Sequence, residues 1–297
     1  MAAMAIRDRE DTAERLLRAS AEHSFDPFVE IDWDAPLEDG RLFFPEHRVS
    51  LYRTELWDRM SPEQQVELSK HEVASMASVG VWFELILMQM LVRHAYDRDP
   101  TSRHVQYALT EIADECRHSV MFGRLIEKLD CPAYGPGRRA HELGRVLKAT
   151  SLGVESFAAI LIAEEILDTM QREAMTDDTI QPIVRNVCRI HVIEEARHVR
   201  YARSELVRQW EEAPRAQREV SRFMVARAAQ VISSRLVHPR AYEAAGLDPD
   251  EARRAAARSP ERRETLRWAS AKLVGFFREL GLIGGPSELL WRHSGLV

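Results

Sequence analysis

The 297-residue sequence predicts an all-α fold, a four-helix bundle with additional N- and C-terminal helices. Three observations carry that prediction. Long segments show the three- and four-residue apolar spacing of helices, and none alternates like a half-buried strand. A Pro/Gly break from Cys131-Pro132 to Gly135-Pro136-Gly137 separates two pairs of such segments. Finally, one constellation occurs twice: Glu84, Glu115 and His118 return 80 residues later as Glu164, Glu195 and His198. In each half a lone carboxylate precedes a Glu-x-x-His by 31 positions, so the repeat is a duplicated helical hairpin.

Each element follows from local chemistry. Residues 10–22 read as a short amphipathic helix. Residues 25–60 are rich in Pro, Asp and aromatics, as in Phe25-Asp26-Pro27, Ile31-Asp32-Trp33-Asp34 and Phe43-Phe44-Pro45. They read as an irregular strap whose aromatics lie on helix surfaces. Ser61-Pro62-Glu63-Gln64 supplies an N-cap, a Pro at the first helical position and a Gln at the third. It opens a helix to about Ala95. Asp99-Pro100-Thr101 opens the second, to about Leu129. A third covers roughly 140–174, and Thr176-Asp177-Asp178 caps a fourth over 179–211, with Pro182 tolerated in its first turn. Residues 215–237 and 248–280 read as further helices, and the tail around Gly284-Gly285-Pro286 as irregular. The chain thus divides into an N-terminal helix and strap (1–60), a duplicated-hairpin bundle (61–212) and C-terminal helices packed on it (213–297), all one domain.

Composition narrows the function classes. With 45% hydrophobic residues the chain can bury a sizeable core. A net charge of −6 and a pI near 6.0 give no support for a nucleic-acid or anionic-membrane partner. Met1 to Asp11 is charged and lacks the apolar region of a secretory signal. Cys116, Cys131 and Cys188 are scattered and odd in number, which fits a reducing, cytoplasmic setting. Between Glu72 and Arg93 the only charged residue is Glu84, which resembles a membrane span. Ser75, Ser78, Gly80 and Gln89 interrupt it and no second span exists, so the segment reads as a core helix.

About one Glu-x-x-His is expected by chance in a chain of this composition, but two, each preceded at the same interval by a Glu, are not. On a helix, residues three apart share a face, so Glu115 and His118 can address one metal, as can Glu195 and His198. Glu84 lies among Trp82, Phe83, Leu85, Ile86 and Leu87, and Glu164 follows Ile160, Leu161, Ile162 and Ala163. Ionised carboxylates in such surroundings cost several kcal/mol unless they are paired. Two divalent cations would balance four of them, and mixed carboxylate and imidazole donors suit iron, or manganese in its place, better than zinc or calcium. The repeat selects Glu164 over Glu165. His191, four before Glu195 and seven before His198, shares their face and reads as a seventh ligand. Its counterpart Glu111 stays open between an inner partner and solvent. Asp114 and Glu194 precede the two motifs and suit the orientation of ligating histidines. Arg117 and Arg197 suit that setting or helix-surface ion pairs equally. Tyr201, one turn beyond His198, reads as a packed core residue.

From about residue 26 to 205 the chain resembles the ferritin-like diiron N-oxygenases typified by p-aminobenzoate N-oxygenase. The resemblance rests on Ile31-Asp32-Trp33-Asp34, His71-Glu72-Val73-Ala74-Ser75, Trp82-Phe83-Glu84, Asp114-Glu115-Cys116-Arg117-His118 and the His191…Glu195…His198 run. It implies a ferritin-like bundle with two iron ions held by Glu84, Glu115, His118, Glu164, His191, Glu195 and His198. It also implies O2-dependent oxidation of a small-molecule amine to hydroxylamine, nitroso or nitro products through a peroxo-diiron species. No flavin or iron–sulfur motif is present, so electrons must come from an external donor or reductase. No residue matches a grip on an aryl carboxylate. Met76, Gly80, Met88, Leu167 and Met170 flank the ligands instead, which suggests a less polar substrate. C–H hydroxylation or desaturation at the same site, a non-catalytic iron protein, and a homodimeric assembly remain open.

Overall fold

A computed structural model describes residues 2–151 and 153–297. In chain order its helices are α1 (Ala2–Glu22), α2 (Pro27–Glu30), α3 (Glu55–Arg59), α4 (Pro62–Tyr96), α5 (Arg103–Lys128), α6 (Arg138–Thr150) and α7 (Val154–Ala174). They continue with α8 (Pro182–Glu212), α9 (Arg215–Ser233), α10 (Pro239–Ala244), α11 (Pro249–Arg258), α12 (Pro260–Leu280) and α13 (Glu288–Ser294). No β-strand occurs among the described residues. One isolated bridge pairs Leu42 with Ile180.

The fold is a ferritin-like bundle made of two hairpins, α4–α5 and α7–α8. Across them, α5 packs on α8 and α4 on α7. The remaining helices sheathe this core: α1 lies on α5 and α8, α6 on α4, and α9 and α12 on α7. The start of α4 forms where the sequence places it. Ser61 Oγ accepts from the Gln64 amide, and the Gln64 side chain accepts from the Ser61 amide in return. That satisfies two of the amide donors a helix start leaves orphaned. Among the described residues α4 is the one helix long and apolar enough to cross a membrane, and 61% of its most apolar window is buried inside the bundle.

Several boundaries depart from the sequence reading. The segment expected as one helix over 140–174 breaks into α6 and α7 at Gly153, whose φ is +65°. That left-handed backbone favours Gly, and a Cβ there would stand 2.9 Å from the Gln209 side-chain oxygen on α8. The segment expected as one helix over 248–280 divides at Ser259-Pro260, where Ser259 caps α12 by accepting from the Arg262 amide. The fourth bundle helix begins at Pro182 rather than 179. Asp177 instead turns the chain by accepting from the Thr179 amide, and the Gln181 side chain ties that loop to Glu38 of the strap. Helix α1 is longer than expected, and the tail contains α13. Within the strap Phe43 and Phe44 are buried as expected, whereas Phe28 is exposed under the Arg124 guanidinium.

Candidate metal centre

Residues three or four apart on a helix share a stripe, and four stripes meet inside the bundle. Glu84 comes from α4, Glu115 and His118 from α5, Glu164 from α7, and His191, Glu195 and His198 from α8. All seven are at most 2% exposed. Three overlapping groups have ligand-type atoms within 4.8 Å of one another: Glu115 with His118, Glu195 and His198; Glu84 with His118 and His191; and Glu164 with His191 and Glu195. His118 Nδ1 lies 2.9 Å from Glu115 and 3.4 Å from Glu195, while His198 Nδ1 lies 2.8 Å from Glu115 and 3.0 Å from Glu195. His191 Nε2 faces Glu84 and Glu195, each at 3.6 Å.

The outward-facing nitrogens fix these rings, and they do so across the bundle. His118 Nε2 donates to Glu194 of α8 at 2.8 Å, and His198 Nε2 donates to Asp114 of α5 at 3.2 Å. Each motif's preceding carboxylate therefore orients the other motif's histidine, leaving both Nδ1 lone pairs for the interior. Burial works against the Asp114 carboxylate, but His198, Arg117 and His118 outweigh it and hold it below the usual range. Arg197 is buried, with Nη2 3.5 Å from Asp114 and 3.9 Å from Glu194, so it serves the cluster rather than the helix surface. Arg117 bonds Asp114 and reaches Ser24 at 2.9 Å, and the Phe25 amide donates to Glu194 at 3.0 Å. The start of the strap thus closes the outer side of the site.

The electrostatics test whether cations belong here. Burial and the repulsion of Glu115, Glu164 and Glu195 push the Glu84 carboxyl well above its ordinary range, and burial with Glu195 and Glu115 does the same to Glu164. His118 and His198 are driven well upward despite burial, by the carboxylates around them. Burial lowers His191 to about 4. Despite burial, His118 and His198 hold Glu115 and Glu195 below the ordinary range, so without cations the cluster is balanced by protons on Glu84, Glu164, His118 and His198. Glu84 Oε2, Glu195 Oε2 and His191 Nε2 are buried without a hydrogen-bond partner. The donor set and its unpaired atoms fit a pair of divalent ions.

Other residues resolve as follows. Glu165 turns from the cluster and forms a two-pronged ion pair with Arg203, with Nε at 2.7 Å. Tyr201 is a core residue whose hydroxyl donates to the His104 carbonyl at 3.2 Å. Glu111 is 1% exposed with Oε2 unpartnered, and burial, with Glu115 and Glu195 acting against His198, holds it well above its usual range. Sequence reasoning missed Gln171 of α7, whose Oε1 accepts from His191 Nδ1 at 2.6 Å. That bond fixes the tautomer that turns Nε2 toward Glu84 and Glu195.

Beside the cluster lies a cavity of about 50 Å³. All four bundle helices contribute: Met76 and Gly80 from α4, Phe122 from α5, Leu167, Met170 and Gln171 from α7, and Cys188 from α8. Phe44 of the strap also lines it. Met88, expected to flank the site, is absent from the lining and lies against Cys116, sulfur to sulfur at 3.4 Å. No Asp, Glu, Lys, Arg or His lines the cavity. Gly80 admits the Phe122 ring, which would stand 3.3 Å from a Cβ there and packs 4.9 Å from the His191 ring, centroid to centroid.

Known proteins bear on this site. Two uncharacterized proteins, one from Mycobacterium bovis and one from Mycobacterium tuberculosis, are each 28% identical over 289 residues, covering 93% of this chain and 84% of the relative. The family model described as p-aminobenzoate N-oxygenase AurF matches residues 6–281, and the chain belongs to that family.

Proposed function

We propose that the protein is a diiron oxygenase that uses O2 to N-oxygenate an uncharged, apolar arylamine. One observation carries the reading: seven buried carboxylate and imidazole residues from four helices converge beside an apolar cavity. Glu84, Glu115, His118, Glu164, His191, Glu195 and His198 would hold two irons, which supply reduction and activation of O2 when bound. Manganese suits the same donors.

The remaining work falls to the protein. Asp114 and Glu194 hold two imidazoles in the metal-facing tautomer, and Gln171 holds the third. Phe122, Leu167 and Met170 exclude water from the reacting side. An alkylammonium would lose its hydration in this cavity with no carboxylate to compensate, whereas an arylamine is neutral at pH 7. A carboxylate on the ring would likewise find no cation, which sets this substrate apart from p-aminobenzoate. A void of about 150 Å³ holds benzene, so entry of an aryl ring requires Met76 and Met170, flexible thioethers, to change rotamer. Electrons come from a separate donor.

The test is mass spectrometry of products formed under ¹⁸O2 by reduced, iron-loaded protein. The panel comprises anilines with and without ring carboxylates, alkylamines, and hydrocarbon analogues. Label on the nitrogen of uncharged anilines supports the reading. Label on carbon, a desaturated product, or preference for carboxylated anilines overturns it.

A further inference from the structure

The C-terminal helices, with Pro136, line a second, half-open cavity of about 490 Å³, within the rough range of 300–1,000 Å³ for small-molecule sites. Five arginines from four places in the chain converge on it: Arg235 beyond α9, Arg253 of α11, Arg262 and Arg263 of α12, and Arg292 of α13. His238 and His293 join them, and no Asp or Glu lines the cavity. That concentration of positive charge stands in a chain whose net charge is −6.

The plain alternative is a solvated surface whose arginines are already paired, and it accounts for only part of the set. Arg253 pairs with Asp250 at 3.1 Å and Arg292 with Glu288 at 3.5 Å, all four side chains solvent-exposed and easily exchanged. Arg263 spends donors on the carbonyls of Ser259 and Arg258. Arg235, however, has a buried Nε with no hydrogen-bond partner. The acid that attracts Arg262 is Glu72, a buried carboxylate already accepting from the Ser50 amide and hydroxyl. Burial, together with the Arg240 and Arg235 cations, lowers the His238 pKa.

We propose that this cavity binds a small phosphorylated anion, a diphosphate group with or without an attached organic body. Guanidinium forks suit phosphate oxygens, and arginines from four places in the chain can grip two linked phosphates. Val237, Pro239 and Leu266 offer an apolar wall to an attached body. The site connects to the apolar cavity through one helix. Ser75 of α4 accepts from the His238 amide at 2.8 Å, and the next residue, Met76, lines the apolar cavity. The proposal does not depend on the metal reading.

Isothermal titration of the full-length protein with pyrophosphate, ADP and inorganic phosphate tests it. Pyrophosphate should bind at one site, at least about tenfold tighter than phosphate, and Arg292→Gln and Arg262→Gln should each weaken it about tenfold, the loss of one charge-assisted contact. Arg145→Gln, on the exposed face of α6, should leave it unchanged. ADP binding tighter than pyrophosphate assigns the site to a nucleotide, and equal binding assigns it to the diphosphate alone. Arg292 is exposed, so its variant stays informative if Arg262→Gln does not fold. Absence of saturable heat with both diphosphate probes, or equal affinity in wild type and Arg292→Gln, overturns the proposal.

Discussion

The two hairpins of the bundle are alike where they face each other and unlike on either side. Glu84, Glu115 and His118 of α4–α5 match Glu164, Glu195 and His198 of α7–α8, and Asp114 and Glu194 exchange histidines across the pseudo-symmetric pair. Outside that centre the correspondence fails. His191 answers to Glu111, and Gln171, which anchors His191, answers to Leu91. The apolar cavity lies on the His191 side, under Phe122 and Gln171. The symmetric part is suited to holding two ions. The asymmetric part makes the surroundings of the His191 side different and sets an apolar cavity beside it.

Breaking the symmetric part should have the largest effect, and the same effect in both halves. Glu84→Ala and Glu164→Ala should each weaken metal binding by more than about 100-fold, beyond the range for groups that only orient a ligand. Metal analysis after dialysis against a chelator reads this, and unequal losses would break the equivalence. Stripping the metal from the intact protein should lower its melting temperature, because the ions neutralise buried charge. Next come Asp114→Asn and Glu194→Gln, each expected to weaken metal binding by about 10- to 100-fold and by similar amounts. A loss in one alone would mean that the crossed hydrogen bonds are not equivalent supports.

Effects on one side only should be smaller. Gln171→Leu removes the acceptor that turns His191 while leaving the six repeated residues in place. Amine oxidation should fall about tenfold with iron content retained, as for an outer hydrogen bond to a ligand. Unchanged oxidation would make Gln171 a bystander. Glu165→Ala should leave metal content alone and cost about 1 kcal/mol in denaturant unfolding, the scale of a partly exposed ion pair with Arg203. Loss of iron in that variant would overturn the choice of Glu164 by repeat spacing.

The convergence of the repeated carboxylates and histidines was legible because it needs only helical periodicity and an interval, both properties of the linear chain. The start of α4 was legible for the same reason, its capping box lying within four residues. The same Ser-Pro signal at Ser259-Pro260 was read through as helix interior, a miss of local chemistry. The break at Gly153 was read through because a lone Gly within a helical pattern does not by itself stop a helix, and only the structure shows its φ of +65°. Gln171 escaped, whereas Asp114 and Glu194 were read as suited to orient histidines and only their crossing to the other motif's ring was missed. Their partners lie 20, 76 and 84 positions away, so only the packing of helix on helix reveals them. The burial of the strap's aromatics was legible in Phe43 and Phe44 but not in Phe28, which lies exposed under the Arg124 guanidinium.

The account turns on a division of labour between the repeated residues and His191, and His191→Ala tests it most directly. Iron content, O2 consumption and amine oxidation should be measured on the same preparation. The account predicts iron within about twofold of wild type and O2 still consumed, while N-oxygenated product falls by at least about tenfold. Loss of iron in step with product would make His191 an equal member of the metal-holding set. Unchanged product would make it a packed core histidine, and either result would contradict the division.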